Sequence, residues 1–471
     1  MRPVALGSVA HGAAPSLKRQ ATKARIAIAV MLFVTVIINY LDRANLSVAM
    51  PAISDELGLT TGQQGLLLSA FGWTYAAMQI PGGWLIDRVP PRVLYPVCLV
   101  LWSLATAFMG IAGGFVALIC LRLLVGMLEA PAYPINNRVV TTWFPDKERA
   151  TAIGFYTSGQ FIGLALLTPV LTWLQSALSW HWIFIATGGV GVVWGVFWYI
   201  AYREPRASRA NDAEIEYIKD GGGLVDLEAD VRAAEQQGTR RKKLDPRDFA
   251  HVLRSRKLWG IYLGQFCLTS TLWFFLTWFP TYLVDYRGMD YIQSGFLVSL
   301  PYLAALVGVL LSGVVSDALL RKGKSLGVAR KAPIIAGLLL STAIIGANFT
   351  DSTALVIVFL SVAFFGNGFA SITWSLVSAL APKRLIGTTG GMFNFIGNLS
   401  SIATPIVIGV LVSETSFAPG FAYITLVTLA GIASYVFLVG KVERIPDRAD
   451  DADDDVLEVT QPEGAPPPSA P

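Results

Sequence analysis

The sequence predicts an all-α integral membrane protein, with twelve transmembrane helices in two six-helix halves. Three observations carry this prediction. The 471 residues are 54% hydrophobic and only 14% charged, with a mean hydropathy of +0.56, whereas a soluble domain carries about a quarter charged residues. The apolar residues fall into blocks of roughly 20, the length that crosses the ~30 Å hydrocarbon core, and the ~10-residue alternating segments of a β-barrel are not visible. One long hydrophilic stretch, 204–256, then splits the blocks six and six.

In chain order the blocks place spans at about 25–49, 61–86, 92–112, 115–138, 149–174, 179–203, 257–284, 293–316, 330–348, 353–379, 385–413 and 419–440. Short Gly, Pro and polar breaks separate most of them, which suits chain reversal. The division is an N-terminal tail 1–24, a first bundle 25–203, a central loop 204–256, a second bundle 257–440 and a C-terminal tail 441–471. The start of the chain is polar and basic and leads into a full-length apolar run, so no cleaved leader is expected. The central loop holds "NDAEIEYIKDGGG", read as a short helix stopped by glycines, and the basic cluster "RRKK". The tail "DRADDADDDVLEVTQPEGAPPPSAP" is acidic and proline-rich and is expected to be disordered.

Lys and Arg set the orientation. With the N-terminus inside, "LKRQATKAR", "DRVPPR", "DKER", the central loop, "RKGKSLGVARK", "PKR" and "KVERIPDR" all fall on one side. The opposite loops have almost none, with Arg287 the exception. Both termini and the central loop are therefore expected in the cytoplasm. A repeat supports two halves: "GGWLIDRVPPR" after the second span and "SGVVSDALLRKGKS" after the eighth each carry a glycine and an aspartate four apart, Gly83 with Asp87 and Gly313 with Asp317, then basic residues. The pattern reads as a tight helix contact at the glycine and a carboxylate near a helix end.

Charges inside spans are costly, at roughly 2.5–3.5 kcal/mol each near the membrane centre on insertion scales. Asp42 and Arg43 sit side by side in the first span, somewhat outward of its middle, behind Asn39 and Tyr40. They face a wet interior or form a capping pair near the helix end. Arg122, Gly126 and Glu129 share one stripe of the fourth span, followed by Pro131 and Pro134, which can kink it. This stripe suggests an interior face; a fixed Arg–Glu pair between helices is the structural alternative. Arginine stays charged and grips a carboxylate with two parallel N–H bonds. A carboxyl group in a partly dehydrated cavity is pushed one way by burial and the other by arginine, so it can gain and lose a proton. Neutral polar residues also interrupt the spans: Tyr75, Gln160, Gln265, Ser371, Thr373, Trp374, Asn394 and Asn398. Such groups pair with hydroxyls of a ligand or with one another between helices. The intramembrane charges thus fall in the first half and neutral polar groups dominate the second. The run "WFFLTWF" suits a gate or a lipid-facing surface.

Other classes fit poorly. There is no GxSxG elbow, no metal-spaced His pair and no GxxxxGK[ST] loop, and His11, His181 and His251 are isolated. The three cysteines lie in apolar segments with no disulfide or metal spacing. The net charge of +4 is spread over membrane loops and points to no nucleic acid. No cofactor is expected, and a channel or receptor is disfavoured by the duplicated six-helix layout.

The paired loop motif and the 6+6 layout resemble the major facilitator superfamily, although Pro90 and Pro91 stand in the first loop where a glycine is common. "YLDRANLSVA", "FGWTYAAMQIPGGWLIDRV", "GMLEAPAYPINNRVVTTWFPDKERATAIGFYTSGQFIGLA" and "LSWHWIFI" resemble its anion:cation symporter family. "YIKDGGGLVD", "STLWFFLTWFP", "FFGNGFASITWSLVSALAP" and "GGMFNFIGNLS" resemble the bacterial sugar-acid branch, its D-galactonate carriers most of all. The similarity runs from about 25 to 440. It implies a monomeric carrier in the bacterial inner membrane, driven by the proton gradient, that takes a sugar acid and a proton together by alternating access. Glucarate, a hexuronate or an aromatic acid is the alternative cargo, and sodium the less favoured coupling ion. The resemblance implies Asp42 and Glu129 as the protonatable pair and Arg43 and Arg122 as their charged partners. It implies Arg43, Tyr40, Tyr75, Gln160, Gln265, Ser371, Thr373, Trp374 and Asn394 at the substrate.

The tail after Pro446 has no apolar stripe and follows the last span. A chain truncated there should insert and take up substrate at the full-length rate in a vesicle assay; loss of uptake at normal expression would give the tail a role in gating or assembly.

Overall fold

The computed structural model describes residues 21–86, 88–227, 246–382, 385–413 and 415–446. The N-terminal residues 1–20, Asp87, Lys383 and Arg384 of "PKR", the "RRKK" cluster and the acidic tail lie outside them. Among the described residues the chain is helical throughout, with a single isolated bridge between Ser413 and Ser416 as its only β feature.

Among the described residues ten helices are long and apolar enough to cross a membrane, and a bent pair makes an eleventh. The first bundle runs α1 (Ala24–Leu57), α2 (Thr61–Ala77), α3 (Gln79–Ile86), α4 (Pro91–Met109), α5 (Phe115–Glu129), α6 (Ala132–Trp143), α7 (Asp146–Ala177) and α8 (Trp180–Ala201). Among the described residues two short helices follow, α9 (Asp212–Asp220) and α10 (Pro246–Arg254). The second group runs α11 (Arg256–Thr277), α12 (Tyr291–Arg321), α13 (Leu326–Ser341), α14 (Thr353–Phe369), α15 (Trp374–Leu380), α16 (Ile386–Asn398), α17 (Ser400–Leu411) and α18 (Ala418–Ala433).

Several expected spans are interrupted. The second is two helices, α2 and α3, hinged at Met78, and neither alone reaches membrane length. The fourth breaks at Pro131, which has no N–H to continue α5 and instead opens α6. The seventh bends by 49° between α11 and Phe279–Tyr286, beside Pro280. The tenth passes through a 3-10 turn, Ala370–Thr373, between α14 and α15. Conversely α1 is longer than expected and ends at Gly58, whose φ of 63° closes the helix in the left-handed region that glycine tolerates best.

The loops sort onto two faces. Lys and Arg crowd one, the basic face, while Arg287 is the only basic residue among the described loop residues of the other, where it donates to the carbonyls of Asp351 and Thr350. On the basic face α9 forms where expected: Asn211 caps it by accepting from the Glu214 N–H, and Gly222, at φ 88°, follows its end. Glu214 is fully buried and caps a second helix across the fold. Its carboxylate accepts from the Thr22 hydroxyl at 2.5 Å, the Ala24 N–H at 3.0 Å and the Arg25 N–H at 3.2 Å, all at the start of α1. An anion there satisfies orphaned donors and the positive helix end together. Arg25 joins Glu214 to Glu148 of α7, and Tyr217 donates to Glu148 at 2.7 Å. α9 is thereby stapled to the first bundle.

The repeated loop motif differs from expectation in its second copy. Asp317 does meet a basic residue, Arg330, at 3.6 Å. Gly313 makes no tight contact, since a Cβ built there meets nothing within 4 Å.

The two groups of helices pack most extensively along two seams, α2 against α17 and α7 against α12. Both seams lie toward the face opposite the basic one. Gly65 is pressed on Pro405 and Gly409, Gly72 on Ser401, and Gly295 on Thr172, while the Ser299 hydroxyl donates to the Ala165 carbonyl at 2.7 Å. The run Trp273–Phe279 is buried throughout, which removes the lipid-facing reading. Phe275 stacks on Phe364 at 4.0 Å, and Trp278 donates to the Pro405 carbonyl at 3.1 Å. Those two contacts lie within the second group; across to the first, Trp273 of the run meets Phe71 at 6.0 Å and Phe364 meets Phe161 at 6.2 Å.

A Cβ at Gly65 would lie 2.5 Å from the Pro405 carbonyl oxygen, and backbone cannot move aside as a side chain can. Gly65→Val should open this seam. A single cysteine at Leu68, buried at 2% exposure, then becomes reactive to an impermeant maleimide from that face. Unchanged labelling would show that the seam does not control access.

Candidate transport site

Four buried charges meet in the first bundle. Asp42 and Glu129 have no exposed surface, Arg122 has 2% and Arg43 6%. Arg43 donates from Nε at 2.8 Å and Nη2 at 2.6 Å, both to Glu129 Oε1. Arg122 donates to the backbone carbonyl of Asp42 at 2.9 Å, not to a carboxylate. Asp42 Oδ2 accepts from Trp102 Nε1 at 3.0 Å. Asp42 Oδ1 and Glu129 Oε2 are buried with no partner among the described residues. The capping alternative for Asp42 and Arg43 therefore fails: both lie mid-helix and reach across to α4 and α5.

Local sequence explains the arrangement. Asp42 and Arg43 are adjacent, so they diverge by about 100° around α1. One meets Trp102 of α4 and the other Glu129 of α5. Gly126 lets α5 close on α2: a Cβ there would strike the Phe71 carbonyl, with Thr74 Oγ1 at 2.6 Å. The Thr74 hydroxyl donates to the Leu123 carbonyl at 2.5 Å and fixes that approach. Phe71 then lies between two guanidinium groups, 5.0 Å from Arg43 and 5.5 Å from Arg122. Tyr40 at 4.8 Å, Tyr75 at 5.0 Å and Trp273 at 6.0 Å complete an aromatic cage around Arg43. Ring faces attract a cation more strongly once water is excluded.

The second-half groups form pairs. The Thr373 hydroxyl donates to Gln265 Oε1 at 2.9 Å. Asn398 Nδ2 donates to Asn394 Oδ1 at 3.1 Å and to its carbonyl at 2.9 Å. Ser371, Gln160 and Asn394 are half-buried. Trp374 is half-exposed and packs edge-on against Phe393 at 4.9 Å. Trp273 is the second-half member of the cage.

The whole chain now bears comparison with known proteins. The sequence profile described as Major Facilitator Superfamily matches residues 32–405. The chain belongs to this family. Among similar proteins, the D-galactonate transporter of Escherichia coli O6:H1 is 55% identical over 417 residues, 88% of this chain and 96% of that one. The probable galactarate/D-glucarate transporter GudP of Bacillus subtilis is 41% identical over 442 residues, 92% of this chain and 96% of that one. Among solved structures, a bacterial homolog of the human lysosomal transporter Spinster, titled inward-facing and occupied, aligns with a TM-score of 0.61 at 20% identity, covering 89% of this chain and 95% of that one. That likeness is one of fold. The chain is a multi-pass membrane transporter of the major facilitator superfamily, with no enzyme motif in its sequence.

Two contributors to this facilitator's site escaped the sequence reading. Trp102 and Phe71 looked like ordinary apolar span residues, and nothing local marks an indole as a carboxylate's donor. A better clue existed for Trp102: a fully buried indole needs an acceptor, and a neighbouring span carried an aspartate. Replacing Trp102 by Phe removes that donor from a fully buried carboxylate. The change should destabilise the folded protein by about 1–3 kcal/mol, seen as a lower melting temperature in detergent; an unchanged value would mean that Asp42 does not depend on the bond.

Proposed function

We propose that this protein is a proton-coupled symporter of a sugar-acid anion, D-galactonate first, working by alternating access. The observation that carries the reading is the Arg43–Glu129 pair, fully buried and held by two hydrogen bonds to one oxygen, in a chain 55% identical to a D-galactonate transporter. Two acids and two arginines sum to no net charge. A bound anion would leave the buried site at −1, which low-dielectric surroundings penalise heavily. One proton on Glu129 or Asp42 restores neutrality. Protonating Glu129 also releases the Arg43 fork, which then grips the substrate carboxylate. Proton and anion thus favour each other's binding, as symport requires.

In this reading Asp42 and Glu129 carry protons, with Arg43 and Arg122 as charge partners. Arg43, Tyr40, Tyr75, Gln160, Gln265, Ser371, Thr373, Trp374 and Asn394 surround the substrate, the neutral groups pairing with its hydroxyls. The bundles 25–203 and 257–440 rock about the site, joined by the loop 204–256, with tails 1–24 and 441–471. The Lys and Arg distribution supports both termini in the cytoplasm of a bacterial inner membrane. The carrier acts as a monomer and needs no cofactor beyond the proton gradient.

Likeness to a probable galactarate/D-glucarate transporter supports a dicarboxylate as the second reading. A dicarboxylate asks for a second cation. Arg122 is already engaged with the Asp42 carbonyl, and the basic residues of the second-half spans sit at their ends, where Arg330 meets Asp317 and Lys331 the Gly440 carbonyl, so a monocarboxylate fits better. In competition against labelled galactonate in proteoliposomes, other aldonates should compete next best, glucarate less well and aromatic acids least. Better competition by glucarate would reassign the substrate and leave the carrier intact.

Two substitutions test the coupling. Glu129→Gln should abolish pH-driven accumulation while counterflow exchange persists; normal accumulation would remove Glu129 from the proton path. Arg43→Lys keeps the charge and loses the fork, so anion affinity should fall roughly 10–100-fold, the equivalent of about 1.5–3 kcal/mol. Wild-type affinity would make Arg43 a structural counter-ion only.

A further inference from the structure

Asp42 has a second neighbourhood, away from Arg43 and Glu129. On this side α1 packs against α8, and α4 packs closely against α8. Four buried polar atoms at this level have no hydrogen-bond partner among the described residues, Asp42 Oδ1, Asn45 Oδ1, Ser103 Oγ and Thr106 Oγ1, and both amide atoms of Asn39, one turn earlier on α1, are likewise unpartnered. All five residues have 0% exposure. Direct contacts tie the three helices together at these levels. Trp102 of α4 donates to Asp42 at 3.0 Å, Asn45 Nδ2 donates to Thr187 of α8 at 3.3 Å, and Ser103 lies against Gly188 and Gly191 of α8. α1 and α4 both run from the basic face to the opposite one. Counting ~1.5 Å per residue from the Asp42–Trp102 contact, Asn45 and Thr106 reach similar heights, one turn further on.

Unpaired buried polar atoms are rare, and a cluster of them marks a place where ordered water belongs. We propose that the wedge between α1, α4 and α8 binds about two structural waters, each making about three hydrogen bonds, and that Asp42 exchanges its proton through them. The proton binds Oδ1 and the carboxylate becomes neutral; on release it leaves from the same oxygen, and each water passes on one proton as it receives another. The charged groups near Asp42, namely Arg43 of α1 with Arg122 and Glu129 of α5, stay on the substrate side, and α8 carries no charged side chain at this level. Substrate and proton then reach Asp42 from different sides. Further toward the face opposite the basic one, Met50 of α1, Met109 of α4 and Phe184 of α8 have no exposed surface. This inference rests on the proposed proton-coupled symport.

The test is the double variant Ser103→Ala, Thr106→Val, which removes two orphaned hydroxyls at nearly constant volume and touches no residue placed at the substrate. If the wedge is wet, pH-driven galactonate accumulation in proteoliposomes should fall about fivefold or more while counterflow stays within about twofold, and the melting temperature should drop. Wild-type accumulation with an unchanged or raised melting temperature means a dry wedge and overturns the proposal. Equal loss of accumulation and counterflow also overturns it, because the hydroxyls then serve structure alone. Should the wild type show no pH-driven accumulation, the symport reading fails instead. A structure of the wild type at water-resolving resolution then decides the wedge by itself: solvent density bonded to Asp42 Oδ1 upholds the water site, and none overturns it.

Discussion

The requirement that buried charge be neutralised organises this protein. An Arg43–Glu129 pair in the membrane interior is tolerable only with close geometry and low net charge. To meet that demand α1 and α5 must approach closely enough for a 2.6 Å contact. Gly126 and the Thr74 bond bring α5 onto α2, and Phe71 fills the space between the two guanidinium groups. In the proposed symport the same requirement couples the two ligands: a neutral quartet resists an anion alone and a proton alone, and accepts the two together.

Access depends on a different economy of contacts. The seams between the two helix groups are built from small residues and backbone, Gly65 on Pro405 and Gly72 on Ser401, reinforced by the aromatic contacts of Phe71 with Trp273 and Phe161 with Phe364. Close backbone contact is strong when formed and is lost entirely over a short separation, because dispersion falls steeply with distance. Such seams suit parts that must both seal and part. On the basic face, by contrast, α9 is fixed to the first bundle by the Glu214 carboxylate and by Arg25 and Glu148, so it moves with that bundle.

Much of the fold was legible because membrane length and hydropathy are one-dimensional properties. The interruptions were harder. α2 and α3, or α16 and α17, meet at junctions such as Met78 and Leu399 that keep the local hydropathy high, so a sliding reading joins them. Pro131 could be read as a kink; that it ends one helix and opens another depends on packing. In the site, residue types revealed that Asp42, Arg43, Arg122 and Glu129 belong together, because each is expensive alone in lipid. Which arginine takes which acid was not readable, since the choice is made across helices 86 residues apart in sequence. Arg122 in fact binds a backbone carbonyl. Gln265 with Thr373, and Asn394 with Asn398, show the same limit: each polar residue was visible, its partner was not.

The central claim is that anion and proton enter together to keep the buried site neutral. It is tested most directly by following internal pH and labelled galactonate in the same proteoliposomes, at zero membrane potential and with no imposed pH gradient. Neutrality predicts that inward galactonate movement acidifies the lumen in step with uptake, and that a protonophore abolishes the pH change while uptake continues. Galactonate entry with no accompanying proton movement would contradict the account.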